Sequence, residues 1–303
     1  MADIIVVGGG PAGMTAALYA QRNGKKALVI ERAGFGGQIT HSPKVENYPG
    51  TLSMSGNEYA DALLGQILEQ GADIEIEEVN AVRETEEGMW AVETVEGGCH
   101  KARAVILATG VKHRMLGLPG ENELIGEGIS FCAVCDGDFY RGKKVCVAGG
   151  GNSALQEAIL LASKCREVVM LQDLPYFTGE KKLQDVLFSF PNVRAKTGVK
   201  ITGYMTEGSD FRGVRISCDG EESEIACDGL FVAIGLIPEN EPFRSYADLT
   251  PYGYFDSDEN CLTKTPGIFV AGDCRRKNVR QLTTAVADGA SAALAACRYI
   301  DGL

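Results

Sequence analysis

The sequence predicts an α/β fold of two three-layer domains, with the second domain inserted into the first. Residues 3–31 run from a short apolar stretch through a glycine-rich turn and a stretch of helical periodicity into a second apolar stretch. This order is typical of a parallel βαβ unit, and residues 143–171 repeat it. The chain has 303 residues, enough for two domains at roughly 100 to 200 residues each.

Composition is that of an ordinary globular protein and argues against several other classes. Hydrophobic residues make up 45% and charged residues 23% of the chain, and the formal net charge is -12. No run approaches the roughly 18 apolar residues of a membrane span, and the acidic balance gives little support to nucleic-acid binding. Because ten cysteines are scattered and the N-terminus shows no leader pattern, we expect a cytoplasmic protein with most thiols reduced.

The first unit is predicted element by element from its apolar runs and glycines. Residues 3–7 form a β-branched apolar strand, which a glycine-rich turn joins to a helix over residues 14–22. Residues 27–31 form a second strand that ends in an acid. A β-meander is expected around residues 90–95, and the apolar run followed by glycine at 105–110 predicts a further buried strand.

The second unit repeats this order of elements. Residues 143–148 are a strand, followed by a glycine turn, and the helix after it extends to Ser163. Residues 167–171 are the next strand, a meander is expected around 213–218, and 230–235 is again a buried strand before a glycine. The sequence therefore predicts an internal duplication at the level of architecture.

The last part of the chain does not begin a third unit. It contains one buried strand within residues 267–273 and one alanine-rich helix over residues 282–299. A lone strand and helix need a sheet to join, so we expect them to return to the first domain. The predicted first domain comprises residues 1–113 and 241–303, and the inserted second domain comprises residues 114–240.

The first glycine turn predicts a dinucleotide site. Gly8, Gly10 and Gly13 have the G-x-G-x-x-G spacing between a strand and a helix, which allows a tight turn and close approach of the backbone to a pyrophosphate. Glu31 ends the next strand, where an acid binds a ribose hydroxyl in such units. A glycine-rich turn without a ligand is the alternative.

Cys132 and Cys135 form the single C-x-x-C pair of the chain. A tetrahedral zinc site would need two more well-spaced ligands, and the three histidines are scattered, so we expect no metal site. Two unconnected buried thiols are a second alternative, and a dithiol/disulfide redox pair is the preferred interpretation. The adjacent Asp136 could move a proton as thiolates form, or it could be an ordinary surface carboxylate.

Seven short motifs together give a specific resemblance over the whole chain. They are Gly8 to Gly13, Gly36-Gly37-Gln38, Glu46-Asn47-Tyr48-Pro49-Gly50, Ala108-Thr109-Gly110, the C-x-x-C with Asp136, Ala271-Gly272-Asp273 and Arg280-Gln281. In this order and spacing the sequence resembles the low-molecular-weight thioredoxin reductase family of flavoproteins. The resemblance implies two Rossmann-like domains of the FAD/NAD(P) type, with FAD in the first, and a homodimer.

The same resemblance implies roles for individual residues. Cys135 would be the thiol nearest the flavin, Cys132 would attack a disulfide of thioredoxin or a thioredoxin-like protein, and Asp136 would donate or accept the proton. A mixed disulfide with a partner needs a second local thiol to resolve it. The implied FAD contacts are Gly8, Gly10, Pro11, Ala12, Gly13, Glu31, Arg32, Gly37, Gln38, Asn47, Thr109, Gly110, Gly272, Asp273, Arg280, Gln281 and Leu282.

The sequence departs from this family where its NADPH-using members bind the 2′-phosphate. Those members carry a histidine and arginines after the second strand of the second unit, whereas this chain has Gln172-Asp173-Leu174 and, further on, Thr178. Each lost charge-assisted contact to a phosphate is worth about 1.5 to 3 kcal/mol, so we expect that NADPH is not the donor.

Two other donors then compete. Asp173 could accept from the ribose of NADH, with the glycines of residues 149–154 still holding a pyrophosphate. Alternatively, the chain resembles the ferredoxin-dependent flavin thioredoxin reductases, which lack the nicotinamide contacts, and this is the preferred interpretation. A flavin-binding regulatory protein without turnover is a third possibility, which the intact C-x-x-C argues against. Ferredoxin–NADP oxidoreductases of this fold lack the C-x-x-C and are disfavoured for that reason.

A ferredoxin would need a local basic patch, because ferredoxins and this chain are both acidic. Three groups of cations are candidates: Arg141-Lys143-Lys144, Lys181-Lys182 and Arg275-Arg276-Lys277-Arg280. The third group lies beside the Gly272-Asp273 motif in sequence. Docking of ferredoxin at Arg275 and Arg276 is therefore a hypothesis, and a solvated run of surface charges is the alternative interpretation of this group.

Overall fold

The structure is a computed structural model that describes residues 1–42 and 44–302. By internal contacts the chain divides into two units: unit 1 comprises Met1–Lys112 with Ile237–Leu303, and unit 2 comprises His113–Leu236. The chain passes from unit 1 to unit 2 after Lys112 and returns after Leu236, at two crossings. The sequence predicts these crossings after residues 113 and 240.

Besides one short 3-10 helix (Gly37–His41), the first segment of unit 1 contains two α-helices and seven strands in the described residues. They are β1 (Ile4–Val7), α1 (Pro11–Arg22), β2 (Ala27–Glu31), α2 (Gly56–Glu69), β3 (Asp73–Ile76), β4 (Val79–Glu84), β5 (Trp90–Thr94), β6 (Cys99–Ala102) and β7 (Ala104–Leu107). The short strand β8 (Lys112–His113) lies at the first crossing between the units.

Unit 2 follows the same order, preceded by two additional short helices and one additional strand. Its elements are α3 (Glu121–Leu124), β9 (Ile129–Ser130), α4 (Ala133–Asp136), β10 (Lys144–Ala148), α5 (Asn152–Ala162), β11 (Glu167–Gln172), α6 (Lys181–Phe188), β12 (Val193–Thr197), β13 (Val199–Glu207), β14 (Asp210–Cys218), β15 (Glu221–Ala226) and β16 (Gly229–Val232). The strand β17 (Leu236–Ile237) lies at the second crossing, and β18 (Ile268–Val270) and α7 (Leu282–Asp301) complete unit 1.

Unit 1 is built on a five-stranded sheet of order β18-β7-β1-β2-β3, in which every strand pairing is parallel. The alternate residues of β1 enter two separate cores. Ile4 and Val6 pack among residues of α1, α2 and α7, while Ile5 and Val7 pack with residues of the β4-β5-β6 meander. Because side chains alternate across a strand, this separation defines three layers.

Unit 2 has the same three layers. Its parallel sheet has the order β12-β11-β10-β16-β9. Cys146 and Ala148 pack toward the antiparallel β13-β14-β15 sheet, and Val145 and Val147 pack with residues of α5. The predicted α/β class with two Rossmann-like units is confirmed, and the last strand and helix do return to the first sheet, since β18 pairs with β7.

Local signals explain where the helices begin. α1 starts at Pro11, three residues before the predicted Met14, because proline lacks an N–H and is favoured in the first turn. α2 starts after Ser55, whose side chain accepts from Glu58 N–H at 3.1 Å while Glu58 accepts from Ser55 N–H at 2.7 Å, a reciprocal capping box. Among the described residues, no helix combines the length and apolar character needed to cross a membrane.

Candidate active site

The turn after β1 has a conformation and a packing that require glycine. Gly8 has φ 111°, and a Cβ on it would lie 2.3 Å from the carbonyl oxygen of Ala108. A Cβ on Gly13 would lie 1.9 Å from the carbonyl oxygen of Gly8. These contacts leave no room for side chains, so the backbone of the turn lies against α1 with nothing interposed.

Three glycine-bearing segments meet at the N-terminus of α1. Gly10 is the N-cap and Pro11 is the first helical residue, so the next N–H groups of the helix have no partner one turn earlier. A Cβ on Gly272 would lie 2.8 Å from Ala12 Cβ, and a Cβ on Gly37 would lie 3.2 Å from Gly10 Cα. The arrangement is suited to an anion such as a pyrophosphate.

Glu31 is fixed at the end of β2. Its Oε2 accepts from Gly9 N–H at 2.7 Å and its Oε1 accepts from Ala33 N–H at 3.1 Å. The neighbouring Arg32 turns away and forms a 2.6 Å ion pair with Glu239. The carboxylate of Glu31 therefore lies beside the glycine turn, as a ribose-binding acid would.

Asn47 and Gln281 are brought together from distant parts of the sequence. Asn47 Nδ2 donates to Gln281 Oε1 at 3.2 Å. Gln281 is also the N-cap of α7, which starts at Leu282, and its backbone N–H donates to Thr284 Oγ1 at 3.1 Å. The predicted Gln281 therefore both caps a helix and presents its amide toward Asn47.

Gln38 and Thr109 are held by partners that the sequence motifs do not contain. Gln38 Nε2 donates to Val111 O at 2.5 Å, and Thr109 Oγ1 donates to Asn240 Oδ1 at 2.9 Å. Asn240 is fully buried and donates to two backbone carbonyls. No sequence signal marks Asn240, because a buried asparagine with its own network has no characteristic spacing. Gly110, next to Thr109, has φ 66°.

Asp273 carries a buried oxygen that lacks a hydrogen bond. Its Oδ1 is shielded from solvent and has no hydrogen-bond partner in the described part of the chain, and the nearest cation, Lys277 Nζ, lies 3.8 Å away. Burial raises the pKa of Asp273, and the charges of Lys277 and Arg280 oppose this shift. Arg280 lies 4.2 Å over the ring of Tyr254 and donates to the carbonyl of Asp273 at 3.3 Å. A ligand hydroxyl would supply the missing donor to Oδ1.

The cysteine pair lies at the start of α4. Cys132 and Cys135 are joined by a disulfide with a Cα–Cα distance of 5.3 Å. Cys132 is the N-cap of α4, and its Sγ accepts from Cys135 N–H at 3.2 Å. Val134, between the two cysteines, is 53% exposed. The two cysteines are bonded to each other in this structure, in agreement with a redox pair and not with two unconnected thiols or two zinc ligands.

Asp136 is held beside the disulfide by a serine that the sequence analysis missed. Ser130 Oγ donates to Asp136 Oδ2 at 2.6 Å, and Cys132 N–H donates to Ser130 Oγ at 3.1 Å. Asp136 Oδ1 is buried without a hydrogen-bond partner in the described residues. Burial raises the pKa of Asp136 above its usual range, and the bond from Ser130 offsets only part of that shift. The surface-carboxylate alternative therefore does not describe Asp136.

A second carboxylate that the sequence analysis missed contacts the same turn. Glu157 of α5 accepts from Ala133 N–H, the first amide of α4, at 3.1 Å. Its position could not be read from spacing, because 21 residues separate it from Asp136 and only the packing of α4 on α5 brings it close.

The turn after β10 repeats the geometry of the first turn. Gly149 has φ 123°, and a Cβ on it would lie 2.4 Å from the carbonyl oxygen of Ala233. Gly179 N–H donates to Gly150 O at 2.9 Å. The corresponding bond in unit 1, from Gly36 N–H to the carbonyl of Gly9, is also 2.9 Å. The backbone scaffold of a dinucleotide site is therefore present twice.

The side chains at the second turn differ from those at the first. Gln172 takes the place of Glu31, is 4% exposed and packs so closely that a Cβ on Gly150 would lie 2.5 Å from Gln172 Cδ. Gln172 Nε2 donates to Tyr176 O at 3.2 Å. At the start of α5, Glu180 N–H donates to Asn152 Oδ1 at 2.7 Å and Glu180 Oε1 accepts from Asn152 Nδ2 at 3.0 Å. A carboxylate thus borders the helix end where a pyrophosphate would bind.

The structure corrects the predicted docking cluster beside Asp273. Arg275 is 4% exposed and Lys277 is 6% exposed at the side chain, and both bind the buried carboxylate of Asp288. Arg275 and Lys277 are therefore internal cations that cannot contact a partner protein. Of the four cations in that cluster, Arg276 is the exposed one, at 64% of its side chain, and it pairs with Asp256 at 3.2 Å.

One further group of ionisable side chains lies close together in unit 1. Ligand-type atoms of Glu75, Glu77 and His100 lie within 4.8 Å of one another. His100 Nε2 lies 2.9 Å from Glu75 Oε2, the spacing of a histidine–carboxylate ion pair. The group is partly exposed and combines Glu75 of β3, Glu77 in the loop after β3 and His100 of β6.

Comparison with known proteins places this architecture in a family. A family profile described as "Pyridine nucleotide-disulphide oxidoreductase" matches residues 2–289. A thioredoxin reductase of Listeria monocytogenes is 38% identical over 305 residues, covering 99% of this chain and 94% of the relative. A Clostridium pasteurianum protein described as a "34.2 kDa protein in rubredoxin operon" is 38% identical over 310 residues, covering 99% and 97%.

A solved structure agrees over the full length. The crystal structure of thioredoxin reductase from Streptococcus pyogenes superposes with a TM-score of 0.93 at 33% identity, covering 100% of this chain and 99% of that one. The chain belongs to the pyridine nucleotide-disulphide oxidoreductase family, and within it to the flavin-dependent proteins of the low-molecular-weight thioredoxin reductase type. Its cofactor is FAD.

The residues of unit 1 fit this cofactor. The bare helix end at Gly10 can receive a pyrophosphate, and Glu31 lies where a ribose hydroxyl would be accepted. The unpaired Asp273 Oδ1 offers an acceptor to a hydroxyl of the cofactor. The individual contacts of the other predicted FAD residues stay predictions.

Proposed function

We propose that this protein reduces the disulfide of thioredoxin, or of a thioredoxin-like protein, with electrons that reduced ferredoxin delivers to its FAD. The observation that carries the donor assignment is that carboxylates border the second nucleotide-type turn: Asp173 directly follows β11, and Glu180 bonds Asn152 at the start of α5. The thioredoxin assignment rests on the names of the relatives and on the disulfide at Cys132 and Cys135.

The dithiol chemistry assigns a role to each residue of the C-x-x-C turn. When bound, FAD supplies the two electrons that break the Cys132–Cys135 bond. Cys132 then attacks the partner's disulfide, and Cys135 displaces the reduced partner from the mixed disulfide. Asp136 exchanges the accompanying proton, since its raised pKa allows the carboxyl to hold a proton closer to neutrality.

We propose that the FAD contacts lie near the N-terminus of α1 and at the Asn47–Gln281 pair, in support of which Asn47 Nδ2 donates to Gln281 Oε1. Pro11, Ala12 and Gly13 would face the pyrophosphate, and Gln38, Asn47, Thr109 and Gly110 would lie along the flavin. Arg32 is a predicted FAD residue whose guanidinium is engaged in an ion pair with Glu239.

Charge at the second turn disfavours NADPH. The stretch from Gln172 to Glu180 contains two carboxylates and no lysine or arginine. A 2′-phosphate needs cations, and each missing charge-assisted contact forfeits about 1.5 to 3 kcal/mol. The carboxylate of Glu180, bonded to Asn152, would also repel a pyrophosphate at the α5 N-terminus.

NADH is the second candidate donor, because the backbone of the turn is intact. Gly149 and the bond from Gly179 to Gly150 keep the geometry of the first turn, and the exposed Asp173 could accept from a ribose. Against this, the position of Glu31 in unit 1 is taken in unit 2 by Gln172, whose amide is engaged with Tyr176.

A one-electron iron protein as donor has support from a relative. The Clostridium pasteurianum relative, 38% identical, is described by its place in a rubredoxin operon, and rubredoxin is itself a one-electron iron protein. Ferredoxin remains the donor that we propose, and rubredoxin is a useful comparison in the same assay.

The deciding experiment is an anaerobic titration of the FAD-loaded protein with NADPH, NADH, reduced ferredoxin and reduced rubredoxin in separate samples. Bleaching of the visible flavin band measures electron entry. Rapid bleaching by ferredoxin, with NADPH and NADH slow, is the expected result. Rapid bleaching by either nucleotide would overturn the donor assignment while leaving the thioredoxin step intact.

The thioredoxin step is tested separately with chemically reduced protein. Stoichiometric reduction of a thioredoxin disulfide is expected, and Cys132→Ser should abolish it without loss of the flavin spectrum. A wild-type protein that transfers no electrons to thioredoxin would favour the regulatory flavoprotein alternative.

The predicted homodimer, the cytoplasmic location and the sequence-based domain limits stay predictions. Sedimentation at several protein concentrations tests the homodimer.

A further inference from the structure

We propose that Glu157 is a positioning residue of the dithiol, which fixes the first amide of α4 and shares one proton with Asp136. This inference rests on the proposed role of Cys132, Cys135 and Asp136. It concerns a residue of α5 outside the C-x-x-C motif, and it assigns a second carboxyl to the site.

The contact between Glu157 and the C-x-x-C turn is direct. Glu157 Oε2 accepts from the N–H of Ala133, which stands between the two cysteines, at 3.1 Å. Ala133 is fully buried, so this amide needs an internal acceptor. Any change in the charge of Glu157 therefore acts at the backbone of the turn that carries Cys132 and Cys135.

Asp136 holds the opposite side of the same turn. Its Oδ2 accepts from Ser130, which in turn accepts from Cys132 N–H, while its Oδ1 is buried and unpaired in the described residues. Two carboxyl groups thus anchor one short turn, one through Ser130 and one through Ala133. Together they hold more acceptor atoms than the local donors satisfy, which favours a bound proton.

The charges around Glu157 leave Asp136 as its main electrostatic neighbour. Charged groups on the elements packed against α5 are Asp136 on α4, Lys144 on β10, Glu167 on β11, and Lys181, Lys182 and Asp185 on α6. Burial raises the pKa of Glu157 to about 7, the Ala133 amide lowers it, and the charge of Asp136 raises it. Of the charged groups just named, Asp136 is the one that contributes to this shift.

The pair accounts for one proton in the redox cycle. Two-electron reduction of the Cys132–Cys135 bond, for which FAD would be the electron source, leaves two thiolates. The proton held by the carboxyl pair passes to Cys132 Sγ, and the Cys135 thiolate stays charged. When the dithiol reduces a partner disulfide, Cys132 returns this proton to the pair, and its thiolate attacks the partner disulfide and expels one partner thiolate. The Cys135 thiolate then displaces the second partner thiolate and re-forms the Cys132–Cys135 bond. Both partner thiolates take their protons from solvent, so the carboxyl pair ends the cycle with the proton it began with.

The test measures thiol reactivity against pH in the holoenzyme. Protein reduced anaerobically with dithionite is alkylated with iodoacetamide, and the modification of Cys132 is followed by mass spectrometry. Three proteins are compared: wild type, Glu157→Gln, and the control Glu222→Gln, which removes an exposed carboxylate of β15. Glutamine keeps an acceptor for Ala133 N–H and cannot hold the charge.

The expected signature is confined to the pH range in which Glu157 is ionised. Glu157→Gln and wild type should react equally at about pH 5, where Glu157 is protonated. Near pH 8 the variant should react roughly three- to tenfold faster, because loss of a nearby like charge lowers a thiol pKa by roughly one unit. Glu222→Gln should follow wild type throughout.

The outcomes separate this inference from the proposed function. A wild-type profile that titrates normally and coincides with that of Glu157→Gln at every pH would overturn the role of Glu157. No dithionite-dependent alkylation of wild-type Cys132 would instead overturn the redox role of the cysteine pair. A further variant, Glu157→Ala, removes the acceptor as well as the charge, and should slow thioredoxin reduction severalfold beyond Glu157→Gln.

Discussion

Asp288 holds Arg275 through two hydrogen bonds in the interior of unit 1, from Nη2 to Oδ1 at 2.7 Å and from Nε to Oδ2 at 2.8 Å. The same carboxylate accepts from Lys277 Nζ at 2.9 Å and from Gly272 N–H at 3.0 Å. One buried anion on α7 therefore compensates two cations and holds the segment next to the proposed FAD acceptor Asp273.

Asp288→Asn is expected to destabilise the protein by about 3 to 5 kcal/mol, because it leaves two buried cations without their partner. Urea unfolding followed by circular dichroism measures this, with Asp256→Asn as the control, since Asp256 is the partly exposed partner of Arg276. We expect less than about 1 kcal/mol for the control. An equal decrease in the free energy of unfolding of both variants would contradict the larger contribution that we assign to the buried ion pairs of Asp288.

Gly13→Ala is expected to abolish FAD retention, because its Cβ would lie 1.9 Å from the carbonyl oxygen of Gly8. The matched control is Gly65→Ala in α2, where no heavy atom lies within 4 Å of the added Cβ. The control should keep FAD and gain up to about 1 kcal/mol from helix propensity. The flavin-to-protein absorbance ratio after gel filtration distinguishes the two, and full flavin content in Gly13→Ala would contradict the predicted site.

The stability of the protein should depend on pH through Glu157. Its pKa in the folded protein, about 7, is raised from the model-peptide value of 4.5, so the folded state favours the protonated form. The associated stability is present below about pH 4.5 and is lost as pH rises through about 7. Between about pH 4.5 and pH 7, the free energy of unfolding of Glu157→Gln should rise by about 3 kcal/mol relative to that of wild type.

Denaturant unfolding at several pH values measures this difference. Glu222→Gln again serves as the control and should show a constant offset from wild type. A Glu157→Gln curve parallel to that of wild type from acid to neutral pH would show that the carboxyl is not stabilised in its protonated form.

Arg276→Glu is expected to slow the reduction of FAD by ferredoxin severalfold at low salt, since a reversed charge changes mainly the association rate. Arg244→Glu is a closely matched control, because Arg244 is also 64% exposed and also has one carboxylate partner, Glu241 at 3.0 Å. Stopped-flow flavin bleaching at two ionic strengths gives the comparison. Equal slowing in both variants would assign the effect to net charge instead of a docking site at Arg276.

The parts of the fold that follow local rules were predictable from the sequence. β2 has the predicted bounds, an apolar run that ends in Glu31, and the turns at Gly8 and Gly149 follow directly from glycine spacing. The start of α1 was placed late, because Pro11 was assigned to the turn although proline is favoured in a first helical turn. The disulfide at Cys132 and Cys135 agrees with the preferred interpretation of the C-x-x-C.

The parts that depend on tertiary packing were not predictable in this way. Ser130, Glu157 and Asn240 belong to no spacing pattern, because each reaches its partner through the packing of separate elements. The docking role of Arg275 was wrong for the same reason: four nearby cations in sequence suggest an exposed patch, and the compensating Asp288 lies 13 residues further on, in α7.

The matching 2.9 Å bonds at Gly36 and Gly179 have an evolutionary consequence. Natural selection can preserve a glycine signature because the sheet and helix would not fit together without it, even after the ligand that first required it has been given up. If the proposed ferredoxin donor is correct, a unit with this scaffold can change its electron source through the side chains around the turn while its backbone stays the same. Substitutions at Gln172, Asp173 and Glu180 would record that history, while the glycines beside them would not.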